Sequence, residues 1–98
     1  MYMRVTRARI DPARLDEARD TVGQDLVAAV SRLPGYQSYM VGADRATGQT
    51  LSVSTWDTEE QARWSPDAVD AVGDILFRLQ ALGLQVESTE IFEVSTPT

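Results

Sequence analysis

Apolar and polar residues alternate from Met3 to Ile10, with Met3 and Val5 on one side and Tyr2, Thr6, Ala8 and Ile10 on the other. A period of two predicts a strand. Asp11-Pro12 then reads as a helix cap followed by proline at the first helical position. Leu15, Ala18, Val22, Leu26, Ala29, Val30 and Leu33 recur at helical spacing until Pro34-Gly35 ends the run. Asp16 and Glu17 in its first turn and Arg32 in its last suit the helix dipole. Tyr36 to Val41 and Leu51 to Trp56 read as two strands joined by "GADRATGQ", where Gly48 supplies a positive φ. In the second of them Leu51, Val53 and Thr55 share one face, and Ser52, Ser54 and Trp56 the other. Asp57 with Glu60 three residues on forms a capping-box pattern for a short helix. Ser65-Pro66 restarts a longer helix with an apolar stripe of Val69, Val72, Leu76 and Leu79, stopped at Gly83. A last strand, Leu84 to Val94, sets Val86, Ser88, Glu90, Phe92 and Val94 against Glu87, Thr89, Ile91 and Glu93, and the tail "STPT" is expected to fray.

The order β-α-β-β-α-β predicts an α+β, ferredoxin-like domain over residues 1–98, a four-stranded antiparallel sheet with helices on one face. The uncovered face, expected to carry Val53, Thr55, Ile91 and Ile10, is poor in charge for a surface in water. Packing it against a second copy would also relieve the small core of a short chain, so a homodimer through sheet faces is expected.

Composition narrows the chemistry. A formal net charge of −6 without a single lysine argues against nucleic acid and anionic membranes as partners. The chain has no cysteine, which excludes disulfides and thiolate chemistry, and no histidine, which excludes Ser-His-Asp triads and most zinc or iron sites. No metal and no cofactor are expected. The opening "MYMRVTRARID" lacks the apolar run of a signal peptide, so a cytoplasmic location is expected.

The segments "LPGY" (Leu33 to Tyr36), "DRATG" (Asp44 to Gly48), "LSVSTWDTEEQARW" (Leu51 to Trp64) and "ESTEIFEV" (Glu87 to Val94) give the chain its family likeness. It resembles the antibiotic biosynthesis monooxygenase group of the dimeric α+β barrel superfamily. The resemblance implies a small homodimer with a pocket between helices and sheet. It also implies oxidation of an aromatic polyketide or quinol-type molecule by dioxygen, without metal or flavin. Haem-degrading members use a histidine that this chain lacks. The polyketide-oxidising members carry an asparagine four residues before the strand tryptophan, where this chain has Ser52, and a tyrosine in the following helix, where the nearest aromatic is Trp64.

Trp56 therefore has two readings, a pocket wall on which a flat ligand stacks or a plug at the end of a strand. Ser52 and Ser54 beside it would position ligand oxygens or bond to the backbone. Tyr36 and Tyr39 are expected on opposite faces, so one of them at most would act as a proton donor. One of Arg4, Arg7 and Arg9 would hold an anionic oxygen, Arg7 being favoured, or all three are solvated or paired with the many acids. Glu90, in phase with Val86 and Phe92, is expected to pair with an arginine across the dimer. The expected catalytic set is Trp56, Ser52, Tyr39 and Arg7, with Ser54, Trp64 and Phe77 binding a small aromatic substrate. The leading expectation is a cofactor-independent monooxygenase; the alternatives are a non-catalytic ligand-binding or regulatory dimer, and an isomerase or lyase with Tyr or Glu90 as base.

Overall fold

In the computed structural model, which describes residues 1–96, four strands pair antiparallel in the order β2-β3-β1-β4. They are β1 (Tyr2–Arg9), β2 (Tyr36–Ala43), β3 (Gln49–Trp56) and β4 (Gln85–Glu93). Helices fill the connections β1–β2 and β3–β4, which makes the ferredoxin-like arrangement. Of the tail expected to fray, Pro97 and Thr98 lie outside the described residues.

The first helical run is not one continuous α-helix. Asp11 caps a 3₁₀ turn at Pro12–Arg14, its Oδ1 accepting from the Ala13 N–H at 2.9 Å. α1 (Leu15–Thr21) follows, then a π-helical segment at Val22–Leu26, then α2 (Val27–Val30). Gly23 sits inside the π segment, and a residue without Cβ is where a regular helix most easily loosens. Leu15, Ala18, Leu26 and Val30 still reach the core.

After β3 the cap lies one residue later than the pattern predicts. Asp57 is tied to the sheet, its N–H donating to the Gly35 carbonyl at 2.9 Å and its carboxylate accepting from the Gln37 amide. Thr58 is the cap of α3 (Glu59–Ala62), in a reciprocal box with Gln61 rather than Glu60. Ser65 caps α4 (Pro66–Ala81) as expected, its Oγ accepting from the Ala68 N–H. The buried stripe of α4 is Ala68, Val72, Ile75 and Leu79, with Leu76 partly buried; the predicted Val69 is exposed.

Two bulges re-aim side chains that strict alternation misplaces. In β2 the pairings Tyr36 with Trp56 and Ser38 with Thr55 leave Gln37 as the extra residue. Tyr36 and Tyr39 thus share the helix-facing side instead of opposing each other. In β4 the pairings Ala8 with Val86 and Arg7 with Ser88 leave Glu87 extra. Val86, Thr89 and Ile91 therefore face the helices, while Ser88, Glu90 and Phe92 face away. Ile10 and Ile91 belong to the helix side, not to the open face where they were expected.

The open face carries Met3, Val5, Met40, Leu51, Val53 and Phe92. Met40 is 75% exposed and Phe92 44%. The Arg7 and Glu90 side chains approach to 3.5 Å among them.

Candidate functional site

Rows of residues run across the sheet toward the helices. The end row is Tyr2–Trp56–Tyr36, the next Arg4–Ser54–Tyr39, then Thr6–Ser52–Val41, then Ala8–Thr50–Ala43. Trp56 is 1% exposed and closes that end. Tyr36 meets it edge-on at 5.9 Å between ring centroids and Trp64 at 6.4 Å. Its indole N–H donates to Ser54 Oγ at 2.8 Å, which pairs the two buried polar groups with each other.

Beyond this plug the helices stand off the sheet and leave a cavity of about 590 Å³. Arg4, Tyr39 and Trp64 line its closed end, Thr6, Ser52 and Thr50 form a polar strip along the floor, and Leu15, Val22, Leu26, Leu76 and Leu79 belong to its apolar wall. From the Arg4 row to the Ala8 row the floor runs for roughly 13 Å at the rise of a strand. Arg19 and Arg45, both exposed, line the cavity near Asp16, which accepts from Arg45 Nη2 at 3.0 Å and lies 3.6 Å from Arg19 Nη2. These contacts, the Arg45 hydrogen bond foremost, hold the Asp16 carboxyl below its ordinary 3.8. Their contribution is thus present above that value and is lost as pH falls through the lower folded one.

At the closed end burial raises the Tyr39 phenol above its ordinary 10.0, while Ser52 and the Arg4 guanidinium pull the other way. Tyr39 is therefore neutral at physiological pH, a proton donor rather than a base. Burial pushes Arg4 below the usual arginine value, and the proximity of Tyr39 opposes it; guanidinium remains a cation. Arg4 donates from Nη1 to the Ala62 carbonyl at 3.1 Å, and its guanidinium carbon lies 4.2 Å from the Trp64 ring centroid. Trp64 follows the C-cap of α3 with φ at +60°, a position where glycine or asparagine usually stands. Its indole Nε1 is buried without a hydrogen-bond partner. A buried donor left unpaired costs about 1–3 kcal/mol.

Of the residues singled out from the sequence, Ser52, Tyr39 and Trp64 meet in this cavity. Trp56 and Ser54 lie behind its closed end, bonded to each other. Arg7 points from the opposite face of the sheet, because its strand position is odd where the cavity rows are even, and it meets Glu90 there. Glu90 thus has an arginine neighbour within its own chain. Phe77 is on the outward side of α4, 72% exposed. Of the three β1 arginines that are candidates for an anionic oxygen, Arg4 lines the cavity, in phase with Thr6 and Ser52. Among the described residues no group of three or more His, Cys, Asp or Glu could hold a metal ion, and no helix is long and apolar enough to cross a membrane.

No family model matches the chain, and no curated protein does. Forty-five chains of solved structures match it. HapK from Hahella chejuensis superposes with a TM-score of 0.81 at 12% identity, over 100% of this chain and 97% of its own. SnoaB from Streptomyces nogalater, a cofactor-independent oxygenase, superposes with a TM-score of 0.65 at 17% identity, over 98% of this chain and 94% of its own. A dimeric ferredoxin-like protein from an uncultured marine organism gives 0.68 at 11% identity, over 99% and 96%. An antibiotic biosynthesis monooxygenase is among the other neighbours. The chain has the fold of antibiotic biosynthesis monooxygenase-like proteins.

Proposed function

We propose that the cavity binds an aromatic polyketide or quinol-type molecule and that the protein oxidises it with dioxygen, without a cofactor. The observation that carries this reading is the cavity itself: about 590 Å³, within the roughly 300–1,000 Å³ of small-molecule sites, with apolar walls on the helix side and hydroxyl donors along the sheet floor. The likeness in fold to an oxygenase that needs no cofactor supports it. In such chemistry the substrate is the reductant. The ring carbon of a phenolate bonds to dioxygen, and the resulting peroxide anion takes a proton from Tyr39. Loss of water, made from the ring proton and the departing hydroxide, leaves a carbonyl. The tyrosinate recovers its proton from the next phenol. Ser52 orients the substrate oxygen, and the walls keep bulk water from the intermediate.

The same reading includes a homodimer through the open sheet face. Met3, Val5, Met40, Leu51, Val53 and Phe92 supply an apolar surface of the kind that a second sheet covers. Sedimentation at twice the protomer mass is the expected result, and sedimentation as a monomer at micromolar concentration would remove this part.

The test of activity is dioxygen uptake with a dihydroxynaphthalene under metal-free conditions. One dioxygen consumed per quinone formed is expected. No uptake across a panel of quinols and anthrones would leave a binding protein without this reaction.

A further inference from the structure

We infer that the closed end of the cavity is a seat for one negatively charged oxygen, so that the ligand is bound as a phenolate, enolate or carboxylate with its charge against Arg4. This rests on the reading that the cavity takes an aromatic molecule, and adds its ionisation state and orientation.

Three observations converge on the seat. Arg4 is half-buried and, among the described residues, no carboxylate lies within ion-pair distance of it. By contrast Arg7, Arg14, Arg19, Arg45, Arg63 and Arg78 all have one, and Arg9 and Arg32 are exposed to water. A single hydrogen bond, to the Ala62 carbonyl, occupies one edge of the guanidinium fork, and the remaining N–H groups have no acceptor there. A half-buried cation with no carboxylate beside it gains most from an anion that comes from outside the chain.

Trp64 supplies the second observation. Its buried N–H has no acceptor, and its backbone holds a left-handed conformation that a bulky side chain rarely adopts. The strained turn sets the Trp64 ring 4.2 Å from the Arg4 guanidinium carbon, which fixes the cation at the closed end. The third is position. Tyr39, neutral and a donor, shares the Arg4 row across the sheet. The closed end therefore offers a cation and a donor, while Leu15, Val22, Leu26, Leu76 and Leu79 make the helix-side wall apolar and the other cavity arginines, Arg19 and Arg45, are paired with Asp16. A flat molecule with one acidic oxygen at its end matches that polarity; a neutral hydrocarbon leaves the Arg4 charge unanswered.

The experiment is isothermal titration of the full chain with two probes of one shape, 2-naphthoate and 2-naphthalenemethanol, at pH 7. The wild type is expected to bind the carboxylate at least ten times more tightly. Arg4→Gln is expected to weaken naphthoate several-fold more than it weakens the alcohol, so that the preference collapses, and Arg4→Lys to keep part of it. If both probes bind equally to the wild type, the seat is wrong while the aromatic cavity stands. If neither probe binds, both readings fall together. The wild-type comparison needs no variant to fold, so the result does not depend on the tolerance of position 4.

Discussion

Trp56→Ala is expected to cost about 3–5 kcal/mol of folding stability, read as a fall in the urea midpoint. Trp56 is among the largest fully buried side chains, it seals the end of the core between Tyr36 and Trp64, and its N–H is the partner of buried Ser54. Truncation would open a cavity and orphan a hydroxyl together. Domains of this size have stabilities of roughly 5–15 kcal/mol, so the variant would sit near the threshold of folding. Phe77→Ala, at an exposed site, is expected to stay within about 0.5 kcal/mol. A stable Trp56→Ala protein that had lost only ligand affinity would instead make Trp56 part of the binding wall.

Tyr39→Phe is expected to lower kcat for dioxygen uptake by about 10²- to 10⁴-fold, the usual contribution of a positioned acid. The ring keeps its place at the edge of the core and only the hydroxyl is removed, so the loss should fall more on kcat than on KM. The high phenol pKa that burial imposes keeps Tyr39 protonated until a strongly basic oxygen forms beside it. Activity that survives the substitution would assign the proton to water and leave Tyr39 as packing.

The architecture was legible because its signals are local. Alternation, Asp11-Pro12, Ser65-Pro66 and the glycines at 35, 48 and 83 act within a few residues of themselves. The site was legible only in part, because it depends on phase. One extra residue at Gln37 turns Tyr39 to the same side as Tyr36, and one at Glu87 puts Val86 on the opposite face from Phe92. Neither bulge has a glycine or proline to announce it. Arg7 and Arg4 differ by one face: both lie on β1, but only even positions look under the helices. Trp64 in a left-handed turn had no signal at all, since that position normally reads as glycine.

The hydroxyl-and-indole face of β3 divides in the structure. Ser54 and Trp56 satisfy each other in the plug, while Ser52 looks into the cavity. The two indole N–H groups therefore report on two different places, one bonded and one free. Proton–nitrogen correlation spectra recorded while a dihydroxynaphthalene is titrated into labelled protein resolve them as separate signals. A large shift of the Trp64 indole is expected, because its ring lines the cavity, with shifts at Thr6, Tyr39 and Ser52 and a nearly stationary Trp56 indole. Shifts confined to Met40, Leu51 and Phe92, with both indoles unmoved, would place the ligand on the open sheet face and contradict binding in the cavity.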